Sequence, residues 1–373
     1  MLSQPPLWLI VLAFILAIGP LVFIHEMGHF LVGRLFGVGA EVFSIGFGRE
    51  ITGWTDKRGT RWKVGWLPLG GYVRFVDDEH HAGSGQGAAA NARPNSFAGK
   101  PVWQRFLIVL AGPMANFLLA IIIFAGFFAA YGIPRTPAIV TGLQPGSAAQ
   151  VAGLQPGDRI EEVAGQRTSS FEDIQRVVSL RPGEDVAIRI TRGNEQRVVR
   201  AKLGVQEQAD RFGQKFKLGL LGVFAEGREL QRVPVTRLIP EGARYTWAMT
   251  RTTIDGLWQI LTGRRSTDDL GGPLKMAQIA GQQASLGAFE FIQLLALFSI
   301  NLGFINLLPV PMLDGGHLVF YAAEAIRRRP VSVRAQEWAF RGGLALLLAL
   351  LVFTTLNDLG SFGLWERLGR LIG

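Results

Sequence analysis

Apolar residues are concentrated in four stretches of the chain. Residues 1–24, 106–134 and 291–313 contain no charged side chain, and residues 342–357 form a shorter uncharged stretch. A helix needs about 20 mostly apolar residues to cross the hydrocarbon core of a bilayer. The first three stretches reach that length, and flanking residues from 335 onward lengthen the fourth. The pattern therefore predicts four transmembrane segments, at residues 1–36, 102–132, 288–317 and 335–358.

The segments between these spans show other patterns. Residues 37–101 are predicted to form a cytoplasmic loop, in which apolar and polar positions alternate between glycines over residues 40–76, as is typical of short strands in hairpins. Residues 137–205 combine β-branched runs with one helical pattern at SFEDIQRVVSL, which indicates a separate α/β domain. Residues 206–287 predict a strand and an amphipathic helix suited to a membrane surface. The predicted fold class is a multi-span α-helical membrane protein with a β-hairpin region and one inserted α/β domain.

The composition supports a membrane protein. Hydrophobic residues make up 49% of the chain and charged residues 18%, against about 25% charged residues in soluble proteins. The net charge of +9 could suit a nucleic acid, but no helix-turn-helix, zinc-finger or RNA-binding signature accompanies it. We therefore expect contact with a lipid bilayer and not with nucleic acid. The absence of cysteine excludes disulfides and thiolate metal ligands.

The distribution of Arg and Lys predicts the orientation in the membrane. The loop between the first two spans is rich in Arg and Lys, and the loop between the last two contains Arg327, Arg328, Arg329 and Arg334, which is typical of cytoplasmic loops. The segment 135–283 is also basic, but long domains cross a membrane largely regardless of charge. We therefore expect the α/β domain and both termini on the non-cytoplasmic side.

A metal-binding motif ends the first apolar stretch. His25, Glu26 and His29 form the pattern H-E-x-x-H on a predicted helix, where both imidazoles lie on one face and can reach one metal ion. Zinc binds imidazole nitrogen readily, and Glu26 is placed to accept a proton from water at the metal. Hydrogen-bonded structural histidines are the alternative, although ionisable groups at membrane depth are costly. Cleavage of this span as a signal peptide would discard the motif, and no basic residue or clear cleavage site supports it.

A third ligand is expected because catalytic zinc sites usually have three protein ligands. Pro309 and Pro311 interrupt the third span, and Asp314 follows directly after residues 291–313. Alone, Asp314 could simply form a turn where the chain leaves the membrane. Together with H-E-x-x-H, it is predicted to bind the metal.

Other polar residues leave alternatives open. His80 and His81 could bind a metal, although a solvated loop is favoured for this Gly-rich and Ala-rich segment. His317 either supports the metal ligands or only begins the next segment. Asn116, inside the second span, could polarise the site or join helices by hydrogen bonding.

These motifs resemble the site-2 protease family of intramembrane zinc metalloproteases. The resemblance rests on HEMGH in the first span and N-x-x-P-x-x-x-L-D-G at residues 306–315. The segments GGYV, AGPMANF, GGP and NLLPVPMLDGGHL are similar to its bacterial branch, the regulator-of-sigma-E proteases. The resemblance implies Zn²⁺ bound by His25, His29 and Asp314, with Glu26 as the catalytic acid and base.

The same resemblance implies residues that bind the substrate. Asn306 would hold its backbone, and a membrane-associated hairpin containing Gly70, Gly71 and Tyr72 would pair with an extended substrate strand. Residues 137–205 resemble a circularly arranged bacterial PDZ domain, mainly through residues 146–166. Such a domain would bind a peptide C-terminus or the external segment of a substrate, or serve only as a spacer. Related proteases often carry two PDZ domains, whereas this sequence shows one.

The expected function is hydrolysis of transmembrane segments of single-span membrane proteins in the bacterial inner membrane. An anti-sigma factor or a remnant signal peptide is the substrate class that the family implies, and the active site is expected toward the cytoplasmic side. A zinc transporter would need a polar path and has no use for Glu26. A membrane-anchored PDZ adaptor with an inactive metal site would not require all four catalytic residues to be present.

Overall fold

The computed structural model describes residues 5–77, 95–209, 215–227, 229–262 and 271–361. Its Cα positions divide the chain into two compact units. The first, which we call the membrane unit, comprises Met1–Gly126 and Ile239–Gly373. The second, the strand-rich unit, is Phe127–Leu238. The metal-binding motifs and the predicted substrate-binding residues all belong to the membrane unit.

The helices of the described residues have the following bounds. They are α1 (Leu7–Leu35), α2 (Val102–Tyr131), α3 (Ala148–Val151), α4 (Phe171–Ser179), α5 (Val235–Leu261), α6 (Pro273–Leu286), α7 (Ala288–Leu307), α8 (Asp314–Arg327) and α9 (Val333–Ser361).

The strands are mostly short and antiparallel. They are β1 (Ala40–Thr55), β2 (Arg61–Phe75), β3 (Ile133–Arg135), β4 (Gly142–Leu143), β5 (Arg159–Val163), β6 (Gln166–Arg167), β7 (Asp185–Arg192), β8 (Glu195–Lys202), β9 (Gly204–Ala209), β10 (Lys215–Leu220), β11 (Val223–Phe224) and β12 (Glu229–Gln231).

Among the described residues, four helices are long and apolar enough to cross a membrane, namely α1, α2, α7 and α9. The third of these is shorter than the predicted span of 288–317, because α7 ends at Leu307. Pro309 restricts Leu308 to an extended conformation, with φ −62° and ψ 142°. A second helix, α8, then begins at Asp314. The predicted third span is therefore a helix, a non-helical turn and the start of another helix.

The hairpin region is a small sheet in which β1 pairs with two separate segments of β2. Residues 42–45 of β1 pair with residues 71–74 of β2 on one side and with residues 61–64 on the other, and residues 61–65 also pair with residues 50–55, with several register shifts. Gly46 and Gly48 have φ angles of 87° and 83°, which other residues rarely adopt, and they lie where the register shifts. Phe43 is fully buried and stacks against neighbours on α1 and β2. The hairpin is thereby held against the first helix.

The strand-rich unit has a four-stranded sheet in the order β6-β5-β7-β8. Alternate residues of β7, Val186, Ile188 and Ile190, are buried in its core together with the apolar face of α4. Strand β11 pairs with β4 and β12 pairs with β3. Because these pairings join the two ends of the unit, it extends beyond the residues 137–205 that the sequence suggests for the α/β domain.

Candidate metal centre

Two histidines of α1 and one aspartate of α8 meet inside the membrane unit. The Nε2 atoms of His25 and His29 lie 3.2 Å apart. The Oδ2 atom of Asp314 lies 3.0 Å from the first and 3.5 Å from the second. His25 and His29 are 7% and 9% exposed. The three side chains that the sequence selects therefore converge on one buried point.

The convergence has the chemistry of a zinc site. Two imidazole nitrogens and one carboxylate oxygen form a common ligand set of catalytic zinc. Asp314 Oδ2 is buried and has no hydrogen-bond partner among the described residues. Within the same residues, this is the one group of three His, Asp or Glu side chains whose ligand atoms lie within 4.8 Å of one another. The residues present thus fit a bound Zn²⁺.

The turn between α7 and α8 places the aspartate. Its backbone bends tightly, with the Val310 N–H donating to the Leu308 carbonyl at 2.7 Å and the Leu313 N–H to the Val310 carbonyl at 3.1 Å. Asp314 follows as the first residue of α8. A carboxylate at a helix N-terminus is stabilised by the positive end of the helix dipole. Pro309 and Pro311 thus interrupt the helix directly before Asp314, so that this carboxylate lies at a new helix N-terminus.

Glu26 lies between the metal ligands and strand β2. It lines the same cavity as His25 and Asp314. The backbone of Val73 forms a hydrogen bond with the Glu26 carboxylate, and the Cγ atom of Glu26 is 3.4 Å from the position that a Cβ of Gly71 would take. The carboxylate is thus close to both the metal ligands and the edge of the hairpin.

A cavity of about 290 Å³ joins these features. Its wall includes Asn306 of α7 as well as Glu26 and the three ligands. All eight residues that the sequence selects line it: His25, Glu26, His29, Gly70, Gly71, Tyr72, Asn306 and Asp314.

The remaining walls of the cavity are largely apolar. They include Phe75, Phe97, Ile108 and Tyr321, which come from four separate elements or loops. Sequence reasoning missed these side chains, because a single aromatic or aliphatic residue carries no local sign of what it faces.

A comparison with known families decides the classification. Residues 13–350 match the sequence profile of peptidase family M50. The chain belongs to peptidase family M50. This confirms the resemblance to the site-2 proteases, the enzyme class and the zinc cofactor, so the chain is a zinc metalloprotease.

This M50 protease matches curated relatives over nearly the whole length of both chains. A protein of Agrobacterium fabrum, whose name describes a candidate zinc metalloprotease, is 43% identical over 361 residues, covering 94% of this chain and 96% of the relative. Metalloprotease MmpA of Caulobacter vibrioides is 36% identical over 391 residues, covering 97% of this chain and 98% of the relative.

Two solved structures resemble a small part of the M50 chain. The PDZ domain of an SdrC-like protein from Listeria monocytogenes is 19% identical and covers 25% of this chain and 90% of its own, with a TM-score of 0.20. The corresponding domain from Listeria innocua is 23% identical and covers 26% and 99%, with a TM-score of 0.20.

The other polar residues singled out in the sequence have different surroundings. His317 lines the cavity of the M50 protease, and its ring centroid is 5.3 Å from that of Phe340. Asn116 places its amide 3.2 Å from His25 Nδ1. His80 and His81 lie outside the described residues.

Helix α2 orients the ring of His29, the second candidate ligand. The Nδ1–H of His29 donates to the Ile108 carbonyl at 2.9 Å, which leaves the Nε2 lone pair for the metal. Gly112 lies directly beside the His29 ring, which a Cβ at this position would overlap. Gly28 of α1 lies as closely against the Ala111 carbonyl. These small residues let α1 and α2 touch, as glycines do in membrane helix pairs.

Replacing Gly112 with alanine is expected to weaken zinc binding. The added methyl group collides with the His29 ring and must displace it, so we expect the zinc dissociation constant to rise at least about tenfold. Competition with a chelator of known affinity measures this. Gly126→Ala is the matched control, because no atom lies within 4 Å of its Cβ position on the same helix. Equal zinc affinity in the two variants would contradict the packing argument.

Proposed function

We propose that this M50 protease cuts transmembrane segments of single-span membrane proteins within the bilayer. In this proposal His25, His29 and Asp314 hold the zinc and Glu26 is the catalytic acid and base. The observation that carries it is the convergence of these four side chains on one cavity among apolar helices. Buried ionisable groups are costly in such surroundings unless they have a function.

Glu26 carries the proton transfers of the proposed reaction. When bound, zinc polarises the scissile carbonyl and lowers the pKa of water. The Glu26 carboxylate accepts the proton from the attacking water and then donates it to the leaving amide nitrogen. The backbone hydrogen bond of Val73 fixes the direction of that carboxylate.

The edge of β2 supports binding of an extended substrate. Residues 71–74 of β2 pair with residues 42–45 of β1, and among the described residues no other strand pairs with this segment, which leaves an edge that a third strand can join. The backbone of Val73 meets Glu26, and that of Gly71, two residues earlier, points to the same side of the strand. A transmembrane helix hides its peptide bonds in its own hydrogen bonds. Strand addition at Gly70, Gly71 and Tyr72 would stabilise the unwound form of the substrate.

The location in the cell follows from the distribution of charge. Four apolar helices fit a protein of the bacterial inner membrane. Arg34 lies in the last turn of α1, and Arg327 ends α8 next to two further arginines. By the positive-inside rule these ends are cytoplasmic. The strand-rich unit would then lie on the non-cytoplasmic side, where as a PDZ-like domain it would bind a peptide C-terminus or the external segment of the substrate.

Asn306 provides a test of substrate binding in the cavity. Its side chain amide has no role among the metal ligands, so Asn306→Ala should retain zinc but lose a hydrogen bond to the substrate backbone. We expect kcat/KM for a single-span substrate to fall about tenfold, which is the usual cost of one such bond. Asn301→Ala is the control on the same helix, because Asn301 accepts from Thr253 Oγ1 at 3.4 Å and does not line the cavity. A normal kcat/KM in Asn306→Ala, or an equal loss in both variants, would contradict the proposed role.

A further inference from the structure

Asn116 is a fully buried polar residue in the middle of apolar helix α2. Its amide nitrogen Nδ2 lies 3.2 Å from Nδ1 of His25. Its Oδ1 atom is buried and has no hydrogen-bond partner among the described residues. Burying a polar group without a partner is costly, more so in a membrane protein. The position of this amide beside a metal ligand therefore calls for a reason.

The metal determines which ring nitrogen of His25 carries the hydrogen. His25 presents Nε2 to His29 and Asp314, so Nε2 must be unprotonated when zinc is bound. In a neutral imidazole the hydrogen then lies on Nδ1, which becomes a donor. Its partner must be an acceptor, and the nearby group is the Asn116 amide.

The amide of Asn116 can supply that acceptor. The oxygen and nitrogen of a primary amide exchange places by a half turn about the Cβ–Cγ bond, and the partners decide which orientation holds. With Oδ1 toward His25, the ring N–H gains an acceptor and Oδ1 gains a hydrogen-bond donor. If the amide nitrogen faced His25 Nδ1–H instead, two hydrogen-bond donors would face each other.

The backbone of Asn116 is held firmly by a third helix. Ser299 of α7 donates its hydroxyl to the Asn116 carbonyl at 2.8 Å. Gly303, one turn later, lies so close that a Cβ there would be 3.3 Å from the Cβ of Asn116. The amide therefore reaches His25 from a backbone that cannot easily shift.

Helix α2 thus contacts both imidazoles. The carbonyl of Ile108 accepts from Nδ1 of His29 at 2.9 Å, and the side chain of Asn116 faces Nδ1 of His25. We propose that Asn116 is a positioning residue for the zinc site, accepting the His25 Nδ1–H and so fixing the tautomer and ring plane of that ligand. This inference rests on the proposed assignment of His25 as a zinc ligand. It replaces the alternative that Asn116 only joins helices.

The test measures zinc affinity of the full chain in detergent by competition with a chelator. Asn116→Leu has similar volume and no acceptor, so its zinc dissociation constant should rise about 10- to 100-fold, as for other partners of metal-bound histidine. Asn116→Asp keeps an acceptor toward Nδ1 and should bind zinc within a few-fold of wild type. Ser299→Ala removes the hydrogen bond to the Asn116 backbone but keeps the side-chain acceptor, so its zinc dissociation constant should rise no more than a few-fold.

Two further measurements separate positioning from folding and from the assignment of the site. Thermal unfolding of each metal-free variant is followed by circular dichroism, and the absorption spectrum of bound Co²⁺ reports ligand geometry. Asn116→Leu should alter the Co²⁺ spectrum without lowering the metal-free midpoint as far as Ser299→Ala does.

The outcomes distinguish this inference from the underlying assignment. Wild-type affinity in Asn116→Leu, or equal losses in Asn116→Leu and Ser299→Ala, overturns the positioning role. Weak zinc binding by Asn116→Asp, in a protein whose metal-free form remains stable, also overturns the positioning role. His25→Ala is the reference variant: if it still binds zinc as wild type does, the proposed ligand assignment fails instead.

Discussion

Glu26→Gln is expected to lose hydrolysis and keep zinc. Glutamine has nearly the same shape and can still accept the backbone hydrogen bond from Val73, but it cannot take up the proton of the attacking water. General acid–base catalysis contributes about 10²–10⁴-fold to rate, so we expect kcat to fall by at least that range. Initial rates on a single-span substrate measure the loss, and metal analysis of the purified protein measures zinc per chain.

The pairing of these two measurements makes the Glu26 prediction specific. Zinc content should equal that of wild type, because Glu26 is not one of the three converging ligand groups. Loss of activity together with loss of zinc would mean that Glu26 acts as a ligand or holds the fold. Activity close to wild type would remove Glu26 from the mechanism altogether.

Asp314→Ala is expected to have the largest effect on metal binding. The substitution deletes the anionic ligand that lies 3.0 Å from His25 Nε2. Loss of an outer partner of a ligand already costs about 10- to 100-fold in affinity, so loss of the ligand itself should exceed 100-fold. Chelator competition measures the dissociation constant, and hydrolysis should stop at zinc concentrations that saturate wild type.

Asp358→Ala is the matched control for this variant. Asp358 of α9 is another aspartate beside a helix N-terminus; it is buried and accepts from the backbone N–H groups of Gly272 and Lys275 at 2.9 Å each. Its loss should cost about 1 kcal/mol of stability, as for other helix caps, with zinc affinity unchanged. Wild-type zinc affinity in Asp314→Ala would show that the third ligand is a different group.

The convergence of the candidate metal ligands could be predicted from the sequence because these residues lie in short motifs. H-E-x-x-H places two imidazoles on one helical face wherever the helix lies. Asp314 is more remote, and its prediction depended on an acidic residue that directly follows an uncharged span. The four spans were equally accessible, since an uninterrupted run of about 20 apolar residues is typical of a helix that crosses a membrane.

Details that depend on non-local contacts could not be read in this way. The end of α7 at Leu307 follows from Pro309, yet prolines are also found within α1 and α2 without ending them. The strand-rich unit is closed by pairing of β12 with β3, which joins short segments about a hundred residues apart. Neither segment has a sequence pattern that predicts which strand it pairs with.

The groups that hydrogen-bond or pack against the candidate metal ligands were also hard to predict from the sequence. Asn116 was recognisable as a polar residue in an apolar span, but its neighbour His25 is 91 positions away in the chain. The Ile108 carbonyl is a backbone group and leaves no mark in the sequence at all. Gly112 becomes meaningful only when the His29 ring lies against it.

The most direct measurement is to locate the bond that the protein cuts. The purified protein is reconstituted in liposomes with a tagged single-span substrate, and the products are sized by mass spectrometry with and without a zinc chelator. The account predicts a cut inside the apolar segment of the substrate, abolished by the chelator and restored by added zinc. A cut confined to the soluble parts of the substrate, or one that persists without zinc, would contradict it.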